Sequence, residues 1–452
     1  MNTMPNKKVR TLSLLLAVLV AVSVLLCLSV SAEEDRVVGD YDGYVTYPEP
    51  YDVRSFLLLE TQTESVLCSY GADRTVYPTS LTKLMTVYLS FSSLRDRMEE
   101  KVELTSGMLA GVIGHRLGLK AGEEVTVSDL LHGLAVGGYN DCAQVLAFLC
   151  SGSVSSFVER MNETARGFGM EGTRYTNPTG LHDPDMVTTA RDCATLCLRL
   201  CRDSQYLEMA ALPFWVMPET NLSVERRMIN RNDLVTNYRT NAYYDPACRG
   251  LNAGMTDEGG CCTAAIRARS DSAGYDLCLV FGGEEKTEGH NTAYLQAKDL
   301  FAFSSASFSW KILARAGQEI LKLPVGGSLD DSVPVGVRED ARCFLPNGEK
   351  AQGEVGQIVR LCQSEFEAPM SAGSEVGKIR FVRGETVLAT ADLVVLEDRE
   401  PTTVAVLFGF LKKGETNRGF LLSVAFFAFL SAGLFVLWRI WKKKRSGLSR
   451  FK

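Results

Sequence analysis

Residues 77–86 read Tyr77-Pro78-Thr79-Ser80-Leu81-Thr82-Lys83-Leu84-Met85-Thr86, and the conformation of this stretch governs the reading of the chain around it. Proline suits the first turn of a helix, and the run from Leu81 onward reads as helical. Ser80 and Lys83 then share one helix face about one turn apart. A hydroxyl is a weak nucleophile at neutral pH. A lysine stripped of water beside it can lose its own proton and act as base, and a helix N-terminus favours developing negative charge. The pair is equipped for acyl transfer through a serine ester. The same spacing recurs in the basic tail at Ser449-Arg450-Phe451-Lys452, so spacing needs the support of context.

The two ends of the chain supply a compartment. Lys7, Lys8 and Arg10 precede an apolar run over 12–30, and Val30-Ser31-Ala32 leads into Glu33-Glu34-Asp35. This is the pattern of a secretory signal, residues 1–32, cut after Ala32. An uncleaved anchor is the other reading of so long an apolar run. Cys27 lacks the small preceding residue that a lipid-attachment site wants. Residues 419–441 are almost wholly apolar, enough to cross a bilayer as one helix, and Lys442-Lys443-Lys444-Arg445 follow at once. The positive-inside rule places the tail 442–452 in the cytoplasm and the bulk of the chain outside, tethered at the cell membrane. That basic cluster is a topology signal and a contact for anionic lipid. A net charge of -6 and a pI near 5.5 give no support for nucleic-acid binding.

Thirteen cysteines do not form the spacing of a disulfide framework, although individual pairings stay open. Cys193, Cys197 and Cys201 repeat every four residues on one expected helix, as small apolar side chains do. Cys261 and Cys262 are adjacent and would point to opposite faces of a strand. There is no CxxC pair, and the four histidines are scattered, so no metal site is expected.

Between the ends the texture changes twice. Residues 33–52 read as an extended lead-in. Ser55-Phe56-Leu57-Leu58-Leu59-Glu60 and Ser65-Val66-Leu67-Cys68-Ser69-Tyr70 predict a hairpin. Residues 80–205 have mostly helical period, including a helix at 127–135 with a Ser128 or Asp129 cap, ended by Gly137-Gly138, and another from Asn140. The pattern is irregular over 206–250, alternates as strands over 260–283 and predicts a helix over 291–316. Helices between N- and C-terminal strands give one α/β domain, 53–316. Short strands and turns then predict a small all-β, sandwich-like domain over 317–398, with a juxtamembrane linker over 399–418.

Several stretches in order carry a resemblance: Pro78-Thr79-Ser80-Leu81-Thr82-Lys83, Leu117-Gly118-Leu119-Lys120-Ala121-Gly122-Glu123, Asn140-Asp141-Cys142-Ala143, Asn177-Pro178-Thr179-Gly180-Leu181, Thr188-Thr189-Ala190-Arg191-Asp192 and Met255-Thr256-Asp257-Glu258-Gly259-Gly260. Over Phe56 to about Trp310 the chain resembles the low-molecular-weight penicillin-binding proteins that act as serine D-alanyl-D-alanine carboxypeptidases. The resemblance implies an α/β domain of the β-lactamase and penicillin-binding type, an antiparallel sheet with a helical cluster, then the β domain and one C-terminal transmembrane helix. It implies Ser80 as acylated nucleophile and Lys83 as its base. The family's Ser-x-Asn motif falls on Gly138-Tyr139-Asn140: Asn140 would hold the substrate amide and Lys83, and Gly138 stands where the family has serine. The Lys-Thr-Gly motif falls on Asn252-Ala253-Gly254, with Asn252 in the lysine's place and Thr256 two residues on; these four would bind substrate. Main-chain N–H groups of Ser80 and of the strand after Gly254 would form the oxyanion hole. Tyr139 and Arg249 are candidates to make up for the missing groups. Peptidoglycan stem peptides are the implied partners, with β-lactams as further ligands and no metal or organic cofactor. Two other readings stay open: a wall-binding protein without turnover, and a hydrolase of a changed peptide or ester.

Overall fold

The computed structural model describes residues 50–285, 290–347, 355–406, 429–431 and 433–439. The expected signal segment, most of the lead-in, the linker beyond 406, the basic tail and most of the expected 419–441 span lie outside the described residues. Phe429–Arg439 is a short apolar helix, and among the described residues no single helix is long and apolar enough to cross a membrane. The chain divides into two compact units at residue 311/312, with 344–347 belonging to the first unit.

The first unit is built on a five-stranded antiparallel sheet. Its strands are β1 (Ser55–Glu60), β2 (Val66–Tyr70), β3 (Cys248–Thr256), β4 (Gly260–Ala268) and β5 (Tyr275–Gly283), in the order β2-β1-β5-β4-β3. All six residues of β1 are buried, because the sheet is covered on both faces. Alternation along the strand sends Leu57 and Leu59 into a core of helices and Phe56 and Leu58 toward the other face. The helical core is formed by α1 (Thr82–Leu94), α2 (Val127–Ala135), α3 (Asn140–Ser151), α4 (Val154–Gly167), α5 (Ala190–Cys201) and α6 (Ser204–Ala210). The opposite face is covered by α7 (Thr292–Ser307), through Ala293, Ala297, Leu300 and Phe301. Cys261 and Cys262 do point to opposite faces. Among the described residues no disulfide joins the cysteines.

Three local expectations are corrected. The cap of α2 is Thr126, whose Oγ1 accepts from Asp129 N at 3.0 Å; the Asp129 carboxylate accepts from the Thr126 hydroxyl at 2.6 Å. The helix expected to reach residue 316 ends at Ser307, and Phe308–Ala314 is a strand. Its residues alternate, and Phe308 and Trp310 both face Phe344. The irregular 206–250 stretch contains a short antiparallel hairpin, Phe214–Met217 with Arg226–Ile229.

The second unit is all-β. Strands β6 (Glu319–Pro324), β7 (Ser332–Val337), β8 (Gly356–Leu361), β9 (Glu375–Arg383) and β10 (Thr386–Val395) form one antiparallel sheet in the order β6-β7-β10-β9-β8. Its core includes Leu323, Val333, Val335, Ile379, Phe381 and Leu393.

Candidate active site

Ser80 lies in a 3-10 turn, Thr79–Leu81, that runs straight into α1. Thr79 has φ +48°, a left-handed conformation that a β-branched residue avoids. Such a residue costs roughly 1–3 kcal/mol and persists where its surroundings over-determine it. Two glycines leave room for it. A β-carbon on Gly180 would come within 1.9 Å of Thr79 O, and one on Gly259 within 2.2 Å of Thr79 Cγ2. The turn packs against β3, the edge strand of the sheet. Ser80 is half-buried, and its Oγ meets Gly254: a β-carbon built there would be 2.2 Å away. Among the described residues this hydroxyl has no hydrogen-bond partner.

Lys83, one turn on, is only 2% exposed. Its pKa is pushed down to about 7, first by burial and then by the positive charge of Arg231. Nζ donates to Thr179 O at 2.5 Å and is not hydrogen-bonded to Ser80. A neutral amine keeps a lone pair after donating, so the Thr179 contact orients the base without consuming it. The carbonyl sits in a loop locked by Asn177, whose Oδ1 accepts from Thr179 N and Gly180 N at 3.1 and 2.8 Å. Thr86 Oγ1 donates to Pro178 O at 2.6 Å. The Asn177-Pro178-Thr179-Gly180 stretch is thus a brace for Lys83.

Asn140 opens α3 and is buried. Its Nδ2 donates to Ile113 O at 2.9 Å, while its Oδ1 is buried with no partner. Asp141 accepts from Leu117, Gly118 and Leu119 N–H groups at 3.0, 2.8 and 3.1 Å, pinning the loop that carries Ile113 and His115. Gly138 has φ +66°, which favours glycine. Tyr139 lies across Gly137 and stacks on His115 with centroids 4.6 Å apart. Burial raises its hydroxyl pKa. Loss of solvent, then Arg231, lowers the pKa of His115, whose Nε2 faces Gly137 O at 3.0 Å; as an acceptor-only partner, that carbonyl selects the Nε2–H tautomer.

On β3, Asn252 is 4% exposed. Its Oδ1 accepts from Ala253 N at 2.7 Å, and its Nδ2 has no acceptor. The point where a β-carbon on Gly138 would stand is 3.9 Å from Asn252 Oδ1 and 3.6 Å from both Cβ and Cγ of Arg231. The two altered motif positions therefore face each other. Ala253 is buried. Thr256 Oγ1 accepts from Gly259 N at 3.0 Å and ties the turn that follows.

The fold brings Ser80 to Gly254, and Gly138 to Asn252, while the charge of Arg231 reaches Lys83. Arg249 is not among the groups whose charge acts on Lys83 or His115. Arg231 was missed by sequence reading. It lines a cavity of about 230 Å³ with Asp233, Arg239, Gly254, Met255 and Glu285. The one signal for it was the Asn230-Arg231-Asn232 triplet between two irregular segments.

Comparison with known proteins bears on the family. A family model described as D-alanyl-D-alanine carboxypeptidase matches residues 45–280, and one described as the C-terminal domain of penicillin-binding protein 5 matches residues 308–401. The chain is 28% identical over 381 residues to the D-alanyl-D-alanine carboxypeptidase DacA of Haemophilus influenzae, covering 82% of this chain and 89% of that one. It is 26% identical over 375 residues to DacF of Bacillus subtilis, covering 82% and 91%. The crystal structure of penicillin-binding protein 5 from Haemophilus influenzae aligns with TM-score 0.58 and 26% identity over 79% of this chain and 99% of that one. Penicillin-binding protein 3 from Streptococcus pneumoniae shares the fold at TM-score 0.64 and 20% identity, over 78% and 100%. An ordered match that runs through the α/β unit and on into the β unit leaves one assignment: the chain belongs to the D-alanyl-D-alanine carboxypeptidase family.

Proposed function

We propose that this protein is a serine D-alanyl-D-alanine carboxypeptidase that removes the terminal D-alanine from peptidoglycan stem peptides. Neutral Lys83 takes the proton of Ser80 as Oγ attacks the carbonyl of the penultimate D-alanine. The N–H groups of Ser80 and Met255 receive the developing oxyanion. Lys83 returns the proton to the leaving amine, D-alanine departs, and water hydrolyses the Ser80 ester by the reverse sequence of proton transfers. Asn140 holds the substrate amide, and Asn252, Ala253, Gly254 and Thr256 form the strand against which the peptide lies. An edge strand is suited to adding an extended peptide. β-Lactams would acylate the same oxygen. The unit would work outside the cell membrane, tethered by 419–441.

The observation that carries this reading is the state of Lys83: a buried amine held near pKa 7, one helical turn from a hydroxyl that has no hydrogen-bond partner among the described residues. A base poised near the working pH is what general-base catalysis needs. A lost proton relay at position 138 would cost about 10²–10⁴ in rate. A lost charged contact at 252 would cost about one to two decades. These losses need not add, because the two positions face each other and share surroundings. A second reading, a wall-binding protein with little turnover, is favoured by the lack of any Ser80–Lys83 hydrogen bond.

Mass spectrometry of the full-length protein with benzylpenicillin and with an acyl-D-alanyl-D-alanine peptide separates the two. A covalent adduct on Ser80, absent in Ser80→Ala, together with D-alanine release is the expected result. Peptide binding with neither adduct nor release selects the second reading.

A further inference from the structure

We infer that His115 is a positioning residue for the reaction: it closes the Gly137–Asn140 turn and thereby sets Asn140 against the substrate amide. The inference rests on the proposed function and deepens it by naming what holds the altered second motif in shape.

The junction between α2 and α3 has little of its own to hold it. Gly137 and Gly138 stand between the helices, and glycine has the most backbone freedom to lose. Tyr139, the cap residue of α3, makes no side-chain cap hydrogen bond. A helix C-terminus leaves carbonyls, and an N-terminus leaves N–H groups, without intrahelical partners. His115 answers one of each. Its Nε2 donates to Gly137 O at 3.0 Å, and its own carbonyl accepts from Asn140 N at 2.7 Å. Its ring also lies on the ring of Tyr139, with 24° between the planes. One residue from another loop therefore grips the turn at Gly137, Tyr139 and Asn140.

The same loop holds the Asn140 side chain. Ile113 O accepts from Asn140 Nδ2 at 2.9 Å, and Gly114 passes so near that a β-carbon on it would stand 2.9 Å from that nitrogen. Asp141 anchors the loop in return through the N–H groups of residues 117–119. After these contacts Asn140 keeps one N–H and a buried Oδ1 without a partner. That donor and acceptor, side by side, match the C=O and N–H of a secondary amide. Loss of solvent, first, and the charges of Arg231 and Lys83 lower the pKa of His115, against the Gly137 carbonyl and Asp141, which raise it. Nε2–H is present in the neutral tautomer that Gly137 selects and in the imidazolium alike, so the clamp holds in either state.

Two β-lactams separate the amide contact from the rest of the site. Benzylpenicillin carries a side-chain amide, and 6-aminopenicillanic acid carries an amine in its place. Acylation of Ser80 in the full-length protein is followed over time by mass spectrometry. In His115→Ala the amide compound should react about ten- to a hundred-fold more slowly than in wild type, and the amine compound within about three-fold of it. His115→Gln returns an N–H donor to Gly137 O and should recover most of the loss. His115→Phe keeps a ring on Tyr139 without the donor and should not. Equal losses for the two compounds, an unchanged His115→Ala, recovery by Phe or no recovery by Gln each overturns the inference while leaving the enzyme in place. A wild type acylated by neither compound removes the proposed function and this inference with it. The rate ratio is read within each variant beside its circular-dichroism melt, so a partly destabilised variant still reports.

Discussion

The side-chain oxygen of Ser80 occupies the space that a β-carbon on Gly254 would fill, 2.2 Å away, and the Cβ of Ser80 is 2.4 Å from the same point. Rotating the serine cannot relieve the second contact. A methyl at 254 therefore has to displace the Thr79–Leu81 turn or the edge strand. Gly254→Ala should leave a folded protein whose acylation by benzylpenicillin is slowed by about a hundred-fold or more, the usual cost of a displacement near 1 Å. Stopped-flow acylation and a circular-dichroism melt measure the two parts. Acylation within a few-fold of wild type would mean that the turn and strand do not meet as closely as described.

The base sets a pH profile. Only neutral Lys83 can take the serine proton, and its pKa is near 7. Acylation should rise through about pH 7 and level off above it. Arg231 depresses that pKa, so Arg231→Ala should move the midpoint to higher pH. Stability follows the same group. The unfolded lysine titrates near 10.5, so between about 7 and 10.5 the unfolded chain binds the extra proton. The cost of burying Lys83 is full below the folded value and fades as pH rises through this window. A midpoint unmoved by Arg231→Ala would separate the two residues electrically.

What the sequence disclosed and what it hid divide along the range of the contacts. Ser80 and Lys83 are legible because one helical turn joins them. The hairpin of β1 and β2 is legible because two short apolar runs and the polar turn between them are local signals. Asn140, Gly138 and Asn252 were placed by resemblance, and the fold sets the last two face to face, Asn252 on β3 and Gly138 ahead of α3. Arg231 stayed hidden because its position depends on Ala210, Leu212 and Ala264, which no periodicity in 206–250 foretells. Thr79 hid its left-handed backbone, which sits where Gly180 and Gly259, from distant loops, leave room for the turn. The brace on Lys83 likewise comes from a carbonyl 96 residues away.

A buried ion pair anchors the hairpin that leads to Arg231. Glu123 is fully buried and accepts from Arg226 Nη2 at 2.8 and 3.0 Å. Thr220 Oγ1 donates to it at 2.7 Å. Arg226→Ala strands the carboxylate and should destabilise the protein by about 3–5 kcal/mol. Replacing both partners with apolar residues of similar volume, Arg226→Met with Glu123→Leu, should recover most of that loss. Denaturant unfolding of the three variants provides the comparison. A loss below about 1 kcal/mol for Arg226→Ala would show the carboxylate to be reached by water.

The facing positions 138 and 252 invite a cycle of substitutions. Gly138→Ser meets only Cβ and Cγ of Arg231 at 3.6 Å and Asn252 Oδ1 at 3.9 Å, so it fits sterically. Its cost is conformational, about 1–2 kcal/mol for an L-residue in the left-handed region. Asn252→Lys adds an ammonium beside Arg231. It should tighten binding of the free-acid peptide by up to about ten-fold, limited by repulsion from Arg231, and should lower the acylation midpoint of Lys83. In the double variant the new hydroxyl can accept from the new ammonium, which relieves part of that repulsion. The acylation rate of the pair should therefore exceed the product of the single effects by roughly two-fold or more. Measured rates that multiply without a remainder would place the side chains at 138 and 252 out of each other's reach. Peptide binding unchanged by Asn252→Lys would mean that residue 252 is not the position of the family's lysine.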